Sequence, residues 1–343
     1  MQFKRTLLVS AALAVAAFTS AAQAEKVMRI GHLNPESPFE SHSGAMTAVF
    51  KSLVETATNG EIKVELFANG QLGKDNEVIQ QVRDGIVESC ISSAGGVAQH
   101  YPLIGVFDVP FAFPNIDTAH KVINLNNPFG QKLADDIHAK TGLKTLGLLD
   151  SGGFFAISNS KKPIQTVADM QELRIRTMTL PTHEAIISSL GGQPTPLPWA
   201  EVYTALQTGV ADGQMNPIPI IAFAKFDEVQ KYLSITNHII TPYVWFINED
   251  FYNSLSDEEK SIVDWAADAA VDAGRGISRI IEASEKGLPK LAENMEVNAV
   301  PAAELAKFAE VAQPAVEKLI QEKFGDEGTQ MLAAMKEAIA AAQ

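Results

Sequence analysis

The chain has 343 residues, a formal net charge of −14 and 46% hydrophobic residues, which is enough length and apolar content for two domains with buried cores. An acidic protein repels phosphate at long range, so the charge argues against nucleic acid or an anionic membrane surface as a partner. Any anion that the chain binds therefore needs a local basic feature. Cys90 is the only cysteine, which excludes an intrachain disulfide.

The N-terminal segment has the features of a secretory signal peptide. Lys4 and Arg5 precede an apolar run that ends at Phe18, and Ala22-Gln23-Ala24 forms an A-x-A cleavage site. The run is shorter than the roughly 18 to 20 apolar residues of a membrane span, which argues against a transmembrane anchor. We therefore predict a signal peptide over residues 1–24 and an exported mature protein without direct membrane insertion. Cleavage removes two positive charges and no negative ones, so the formal net charge changes from −14 to −16.

Strand-like and helix-like stretches alternate along the next part of the chain. "VMRIGH" at 27–32 and "IKVELF" at 62–67 are typical of strands. Helical spacing lies between them, from Glu40 to Thr58, and Asn59-Gly60 follows as a usual helix end. With "TLGLL" and "FFAIS" near the middle of the chain, this alternation predicts an α/β fold rather than a helical bundle or a β-sandwich.

Two segments in different halves of the chain resemble each other. "EVIQQVRDGIVES" begins at Glu77 and "EVYTALQTGVADG" begins at Glu201. Each reads as a short helix that ends at a glycine, Gly85 or Gly209, and leads into a strand. Two similar α/β units suggest two lobes, although helix-glycine-strand units also resemble each other by chance.

The C-terminal third is helical in pattern. Ser256 and Glu259 form a capping box, and no proline interrupts residues 257–285. Some 29 helical residues span roughly 44 Å, which is longer than one small domain is wide. We therefore expect this helix to contact both lobes.

The common catalytic and cofactor motifs are missing from the sequence. It contains no H-E-x-x-H, G-x-S-x-G, C-x-x-C or dinucleotide-binding pattern, and no histidine pair has metal-ligand spacing. "GQLGKD" at 70–75 lacks the upstream glycine of a phosphate loop, and Asp75 stands where Ser or Thr would bind magnesium, so a turn before a helix is the simpler explanation. We predict no enzyme activity, no metal and no cofactor.

The segment "ELRIRT" at 172–177 is the most suggestive basic feature. In a strand, Arg174 and Arg176 lie on one side, and Leu173 and Ile175 lie on the other. From these residues alone, a surface ion pair explains the arginines more simply than a ligand site does.

Five longer motifs favour a ligand site over a surface ion pair. "GQLGKDNEVIQQVRDG", "VFDVPFAF", "KKPIQTVADMQELRIRT", "PTPLPWAEVYTALQTGVADGQMNP" and "EVQKYLSITNH" occur in this order between about Val27 and about Asp272. Together they resemble the solute-binding proteins of tripartite ATP-independent periplasmic (TRAP) transporters, the DctP family. Five motifs in register are far more specific than any one of them.

The resemblance implies a two-lobed periplasmic-binding-protein-like α/β fold. Each lobe is a mixed sheet flanked by helices, and a long helix spans both lobes. On this basis residues 25–152 with about 242–275 form lobe I, and residues 153–241 with about 276–343 form lobe II. Such proteins are not enzymes: in the periplasm they capture a small organic acid between the lobes and deliver it to the membrane subunits of a TRAP transporter.

The resemblance also implies roles for single residues. Arg176 falls on the arginine that binds a ligand carboxylate, a role that suits a planar guanidinium with a permanent charge. Arg174 is then a solvated or interlobe charge. Further ligand contacts are expected from these positions: Asn216, Trp199, Thr179, Asn34, Asp75 and Ser93.

One position departs from the family pattern. Many acid-binding members have a second arginine in a "G-[FY]-R" stretch, and "GGFFAIS" has Phe155 in its place. Without that cation a second carboxylate would be buried unpaired, which is costly. We therefore expect a small ligand with one carboxylate or sulfonate and a less polar remainder, with Phe155 in the site; Phe154, Trp199 and Tyr243 are further aromatic candidates. A zwitterion stays open, because an ammonium group can lie on an aromatic face.

Two other functions share this scaffold. A ligand-sensing subunit of a signalling receptor would use the same cleft, and genes for two membrane subunits beside this gene would favour transport over sensing. An exported enzyme would need a general base with a perturbed pKa in the cleft and turnover of the bound compound.

Overall fold

A computed structural model describes residues 26–343, and the predicted signal peptide lies outside these residues. The strands are β1 (Lys26–Gly31), β2 (Ile62–Phe67), β3 (Ser89–Ser93), β4 (Lys144–Asp150), β5 (Phe155–Asn159), β6 (Arg174–Thr177), β7 (Gln193–Pro196), β8 (Gly213–Pro217), β9 (Tyr232–Ile235), β10 (Pro242–Ile247) and β11 (Glu296–Ala299). The strands predicted at 27–32 and 62–67 are β1 and β2, correct to within one residue.

Helices separate most of the strands. They are α1 (His42–Ala57), α2 (Asp75–Arg83), α3 (Ala94–Val97), α4 (Ile116–Val122), α5 (Pro128–Thr141), α6 (Pro181–Ser189), α7 (Val202–Thr208), α8 (Ile218–Phe223), α9 (Glu249–Ser254), α10 (Asp257–Ala283), α11 (Leu288–Asn294) and α12 (Ala302–Ala342). Short 3-10 helices also occur, among them Pro102–Asp108 and Trp199–Glu201.

The strands form two mixed sheets. Sheet 1 has the order β2-β1-β3-β10-β4, and sheet 2 has the order β11-β9-β5-β8-β6-β7. In sheet 1, β10 runs antiparallel to both of its neighbours, while β1 is parallel to β2 and β3. In sheet 2, β5 is antiparallel to β8 and β9. The predicted α/β class with two mixed sheets is therefore confirmed.

The two similar sequence segments form equivalent units. Helix α2 is followed by Gly85 and β3, and α7 is followed by Gly209 and β8. Both glycines have left-handed backbone angles, with φ of 72° and 74°, which suits glycine after a helix end. Each strand then leads directly into a short helix, α3 or α8. One unit lies in sheet 1 and the other in sheet 2.

The predicted long helix is α10. Ser256 accepts a hydrogen bond from the Glu259 backbone N–H, and the Glu259 carboxylate accepts one from the Ser256 N–H, so the capping box is present. The helix has 27 residues, which corresponds to about 40 Å. It packs against α1 and β4 of the sheet 1 side and also contacts α8 of the sheet 2 side. Near its end, Arg279 donates a hydrogen bond to the Gly152 carbonyl, in the segment that joins the two sheets.

Helix α12, which is kinked at Gly325, also joins the two sides. It packs against α6, which follows β6 of sheet 2, and against α4 and α5, which precede β4 of sheet 1. Because it contacts both sides, the assignment of about 276–343 to lobe II, like the other lobe boundaries, stays a prediction. Within residues 26–343, no helix combines the length and the apolar character that a membrane crossing requires.

Candidate ligand-binding site

A cleft lies between the two sheets, at the carboxyl ends of their parallel strands. This is the usual place for ligands in open α/β sheets. The cleft holds about 730 Å³ that protein atoms leave free, including its mouth. All eight residues expected from the sequence line it: Asn34, Asp75, Ser93, Phe155, Arg176, Thr179, Trp199 and Asn216. The fold thus brings them together, and their contact with a ligand stays a prediction.

Arg176 is a buried cation at the end of β6, with 2% of its surface exposed. Its Nε and Nη2 atoms donate hydrogen bonds to the Leu197 carbonyl oxygen, at 3.0 and 2.7 Å. Among the described residues it forms no ion pair, and the remaining guanidinium hydrogens are available to a ligand. Burial lowers the pKa of Arg176 to about 10, so the side chain stays charged at neutral pH. A buried charge without a partner is costly, and an anion in the cleft would offset that cost.

Arg174 has a different environment although it lies on the same strand. Its Nε and Nη2 atoms donate to the two carboxylate oxygens of Asp212, at 3.0 and 2.7 Å, and 42% of its side chain is exposed. Asp212 directly precedes β8, the neighbour of β6 in sheet 2. Arg174 and Asp212 therefore form a partly solvated ion pair within the sheet 2 side. The alternative that it is an interlobe charge is wrong.

Asn216 and Trp199 lie on the same side of the cleft as Arg176. Asn216 is 6% exposed and donates one amide hydrogen to Gln214 Oε1, which leaves its second amide hydrogen for a ligand oxygen. The Trp199 ring is half-buried, and its centroid lies 6.0 Å from that of Phe223 and 5.8 Å from that of Phe226. These two aromatic contacts hold the indole in place beside the cleft.

Asp75 and Ser93 form a hydrogen-bonded pair on the sheet 1 side. Ser93 Oγ donates to Asp75 Oδ2 at 2.9 Å. A Cβ atom at Gly96 would lie 2.1 Å from the Asp75 Cβ, so only glycine permits this arrangement. Burial raises the pKa of Asp75 to about 6, although hydrogen bonds from Ser93 and Ser92 and the charge of Arg176 oppose the shift.

Asn34 and Tyr243 form the adjacent part of this wall. Asn34 is 2% exposed; its amide nitrogen donates to Ser43 Oγ at 2.9 Å and lies 3.2 Å from His42 Nε2. The Tyr243 ring meets the His42 ring edge to face at 4.6 Å, and burial raises the pKa of its hydroxyl. Tyr243 was only an aromatic candidate from the sequence, and no local pattern points to its polar hydroxyl.

Other cleft residues were missed by sequence reasoning. They include Lys74, Gln99, Ser151, Met178 and Thr241. Lys74 could have been identified as a candidate from the sequence, because it lies between the "GQLG" motif and Asp75. No sequence pattern identifies Ser151 and Thr241, because they belong to two connecting segments that meet only in the fold. There the Ser151 N–H donates a hydrogen bond to the Thr241 carbonyl.

Phe155 lines the back of the cleft and is only 1% exposed. Its ring meets the rings of His183 and His238 edge to face, at 6.0 and 6.4 Å. Burial lowers the pKa of His238 to about 3, so this imidazole is neutral at physiological pH. The position where many family members have a second arginine is thus occupied by an apolar ring against a neutral imidazole.

Contacts between the two sides hold the cleft closed. Thr179 Oγ1 donates to the Gly95 carbonyl at 3.3 Å, and Lys74 Nζ lies 3.4 Å from Glu201 Oε1 at the rim. Deeper in the molecule, the buried Asp108 carboxylate accepts a hydrogen bond from Thr182 Oγ1. Asp108 is on the sheet 1 side, and Thr182 lies in the first turn of α6 on the sheet 2 side. This closed form is the geometry expected around a small enclosed ligand.

The chain is similar to known proteins over nearly its whole described length. The model of the DctP family, described as bacterial extracellular solute-binding protein, family 7, matches residues 31–323. A solute-binding protein of Verminephrobacter eiseniae is 35% identical over 306 residues, which is 89% of this chain and 88% of that protein. The 2,3-diketo-L-gulonate-binding periplasmic protein YiaO of Escherichia coli is 35% identical over 256 residues, covering 74% of this chain and 76% of that protein.

A solved structure extends the similarity to the fold. The sugar acid binding protein DctPAm of Advenella mimigardefordensis, in complex with galactonate, has a TM-score of 0.83 and 34% identity. The alignment covers 91% of this chain and 98% of that one. All eight expected site residues lie within residues 31–323, where the family model matches. The chain therefore belongs to the DctP family, the solute-binding proteins of TRAP transporters.

Proposed function

We propose that this protein captures a small hydroxylated monocarboxylic acid in the cleft and delivers it to the membrane subunits of a TRAP-type secondary transporter. The observation that carries the proposal is the buried Arg176 guanidinium, which lines the cleft and pairs with no acid among residues 26–343. A carboxylate matches its remaining donors and neutralises its charge.

The number of buried cations in the cleft limits the number of anionic groups on the ligand. Arg176 is buried, whereas Lys74 is half exposed and lies near Glu201 at the rim. With Phe155 at the back of the cleft, a second carboxylate would lack a buried partner. A ligand with one carboxylate, or one sulfonate, fits this charge distribution.

Polar side chains of the lining can bind hydroxyl groups on the ligand, while apolar side chains, among them Phe155 and Trp199, suit the less polar remainder expected from the sequence. Donors and acceptors come from both sides of the cleft: Asn34, Asp75, Ser93, Thr179, Asn216 and Tyr243. These side chains can exchange hydrogen bonds with several hydroxyls of a ligand. The names of two relatives agree, since galactonate and 2,3-diketo-L-gulonate each have one carboxylate and an oxygen-rich chain.

Transport in the periplasm, without catalysis, is the rest of the proposal. The family is described as extracellular and solute-binding, and the relative YiaO is named periplasmic. A sensing role would use the same cleft; a histidine kinase gene next to this one would favour sensing, and genes for two membrane subunits would favour transport.

A thermal-shift panel on the mature protein tests the binding proposal. Galactonate and 2,3-diketo-L-gulonate are compared with galactitol, which lacks the carboxylate, with succinate, which has two, and with ectoine. At 1,000 times its dissociation constant, a ligand adds about 4 kcal/mol to the free energy of unfolding, so the melting temperature rises by several degrees. We expect this rise for a hydroxylated monocarboxylate and none for galactitol. An equal rise with galactitol, or none with any acid, would contradict the proposal.

A further inference from the structure

Among the described residues, the closed cleft has one buried cation, Arg176, and one acid, Asp75, on opposite walls, while Lys74 lies half exposed at the rim and pairs with Glu201. Arg176 belongs to the sheet 2 side and Asp75 to the sheet 1 side, and both line the same cavity. They are near enough for the charge of Arg176 to act on the pKa of Asp75, yet they form no ion pair. The charges of Arg176 and Asp75 cancel, as do those of Lys74 and Glu201 at the rim, so a bound monoanion would leave the closed cleft with a net charge of −1.

The groups around Asp75 cannot offset this extra charge. Ser93 hydrogen-bonds to its carboxylate, Ser92 acts on its pKa, and neither carries a charge. Burial raises the pKa of the Cys90 thiol and of the Tyr243 hydroxyl, so both stay neutral near pH 7.

Cations near Asp75 are also already engaged. On its own helix, Lys74 is half exposed, lies 3.4 Å from Glu201, and donates its backbone N–H to Glu77. Among residues 26–343, Arg176 is the buried cation whose charge acts on Asp75, and in the complex it binds the carboxylate of the ligand. The carboxylate of Asp75 itself is the remaining place where the charge can be neutralised.

We propose that a monoanionic hydroxy acid enters the cleft together with one proton from solvent, which binds to the carboxylate of Asp75. This inference rests on the proposed function. The step converts the Asp75 carboxylate to a carboxylic acid and breaks no other bond. Ser93 continues to donate to Oδ2, and the protonated oxygen donates a hydrogen bond to an oxygen of the ligand, so Asp75 selects an acceptor at that point.

The affinity for the ligand depends on pH because ligand binding is linked to the protonation of Asp75. In the free protein the pKa of Asp75 is raised to about 6 by burial, and a second anion in the cleft raises it further. Affinity is therefore full well below pH 6, where Asp75 is already protonated in the free protein, and falls as the pH rises above the pKa of the free protein toward that of the complex. Between these two pKa values, the dissociation constant increases up to about tenfold per pH unit. The carboxyl group of the ligand is ionised throughout this range.

Proton uptake can be measured directly by calorimetric titration in buffers with different ionisation enthalpies. The ligand is galactonate, or the panel monocarboxylate with the larger thermal shift. At pH 7 we expect uptake of between about 0.5 and one proton per ligand bound, with a dissociation constant that rises from pH 6 to pH 8. Asp75→Asn, which keeps the acceptor for Ser93, should bind without proton uptake and with a nearly constant dissociation constant. Asp84→Asn, at the exposed end of the same helix, should retain the uptake of the parent.

The outcomes separate the inference from the proposed function. If the acid binds, loses affinity in Arg176→Ala, and yet takes up no proton, Asp75 stays ionised and the inference is wrong while the proposed function stands. If a zwitterion such as ectoine binds better than every monoanion, the inference is wrong, because the cationic group would pair with an ionised Asp75, and the proposed ligand class is wrong as well. If no acid binds, the proposed function fails and the inference fails with it.

Discussion

Arg176→Ala should weaken binding of the carboxylate ligand by between about 30-fold and several thousandfold. Removing one partner of a buried, hydrogen-bonded charge pair costs about 2 to 5 kcal/mol of binding free energy. Arg176 fits this case because it is 2% exposed and Leu197 already fixes its orientation through two hydrogen bonds. Isothermal titration with the acid that stabilises the parent protein measures the change.

The melting temperature of the free Arg176→Ala protein should change little. The substitution removes two hydrogen bonds to the Leu197 carbonyl, but it also removes an unpaired buried charge, and these two effects oppose each other. Arg174→Ala is the matched control: it breaks the ion pair with Asp212, so it can lower the melting temperature, but it should leave the dissociation constant unchanged. Equal loss of binding in both variants would show that stability, not the carboxylate contact, governs binding.

Trp245→Ala should reduce the free energy of unfolding by about 3 to 5 kcal/mol, the range for a fully buried large aromatic residue. Trp245 is 0% exposed in β10, its ring lies 4.8 Å from that of Phe50, and its Nε1 donates to Ser89 Oγ at 2.8 Å. Truncation leaves a cavity between sheet 1 and α1 and removes the hydrogen bond that the Ser89 hydroxyl accepts. Urea unfolding followed by circular dichroism measures the loss.

Trp265→Ala provides the control for this change. Trp265 lies on α10 with 53% of its surface exposed, so its removal should alter the free energy of unfolding by less than about 0.5 kcal/mol. A similar loss in both variants, or a loss below about 1 kcal/mol in Trp245→Ala, would contradict the packing of β10 inside sheet 1, between β3 and β4.

Local patterns predicted much of the fold. The capping box at Ser256 located the start of α10, and the glycines at 85 and 209 located the ends of two helices. Such signals act within one or two turns of chain and are therefore visible in the sequence. The insertion of β10 between β3 and β4 was not predictable in this way, because strand pairing between distant segments depends on the whole fold.

The site residues also divide into those predictable from local sequence and those that depend on contacts between distant segments. The residue pattern of "ELRIRT" treats its two arginines alike, and only Asp212, far along the chain, distinguishes the ion-paired Arg174 from Arg176. The family resemblance, not the spacing, singled out Arg176. Tyr243 reaches the cleft through β10, so its place there follows from long-range pairing. The closed contact of Asp108 with Thr182 likewise joins segments that no motif links.

A crystal structure of the mature protein with its bound acid tests the central claim most directly, namely that Arg176 is the counter-ion of the ligand. We predict a carboxylate with both oxygens within about 3 Å of the Arg176 guanidinium nitrogens. A ligand whose anionic group lies elsewhere in the cleft, with Arg176 bound only to Leu197, would contradict the claim.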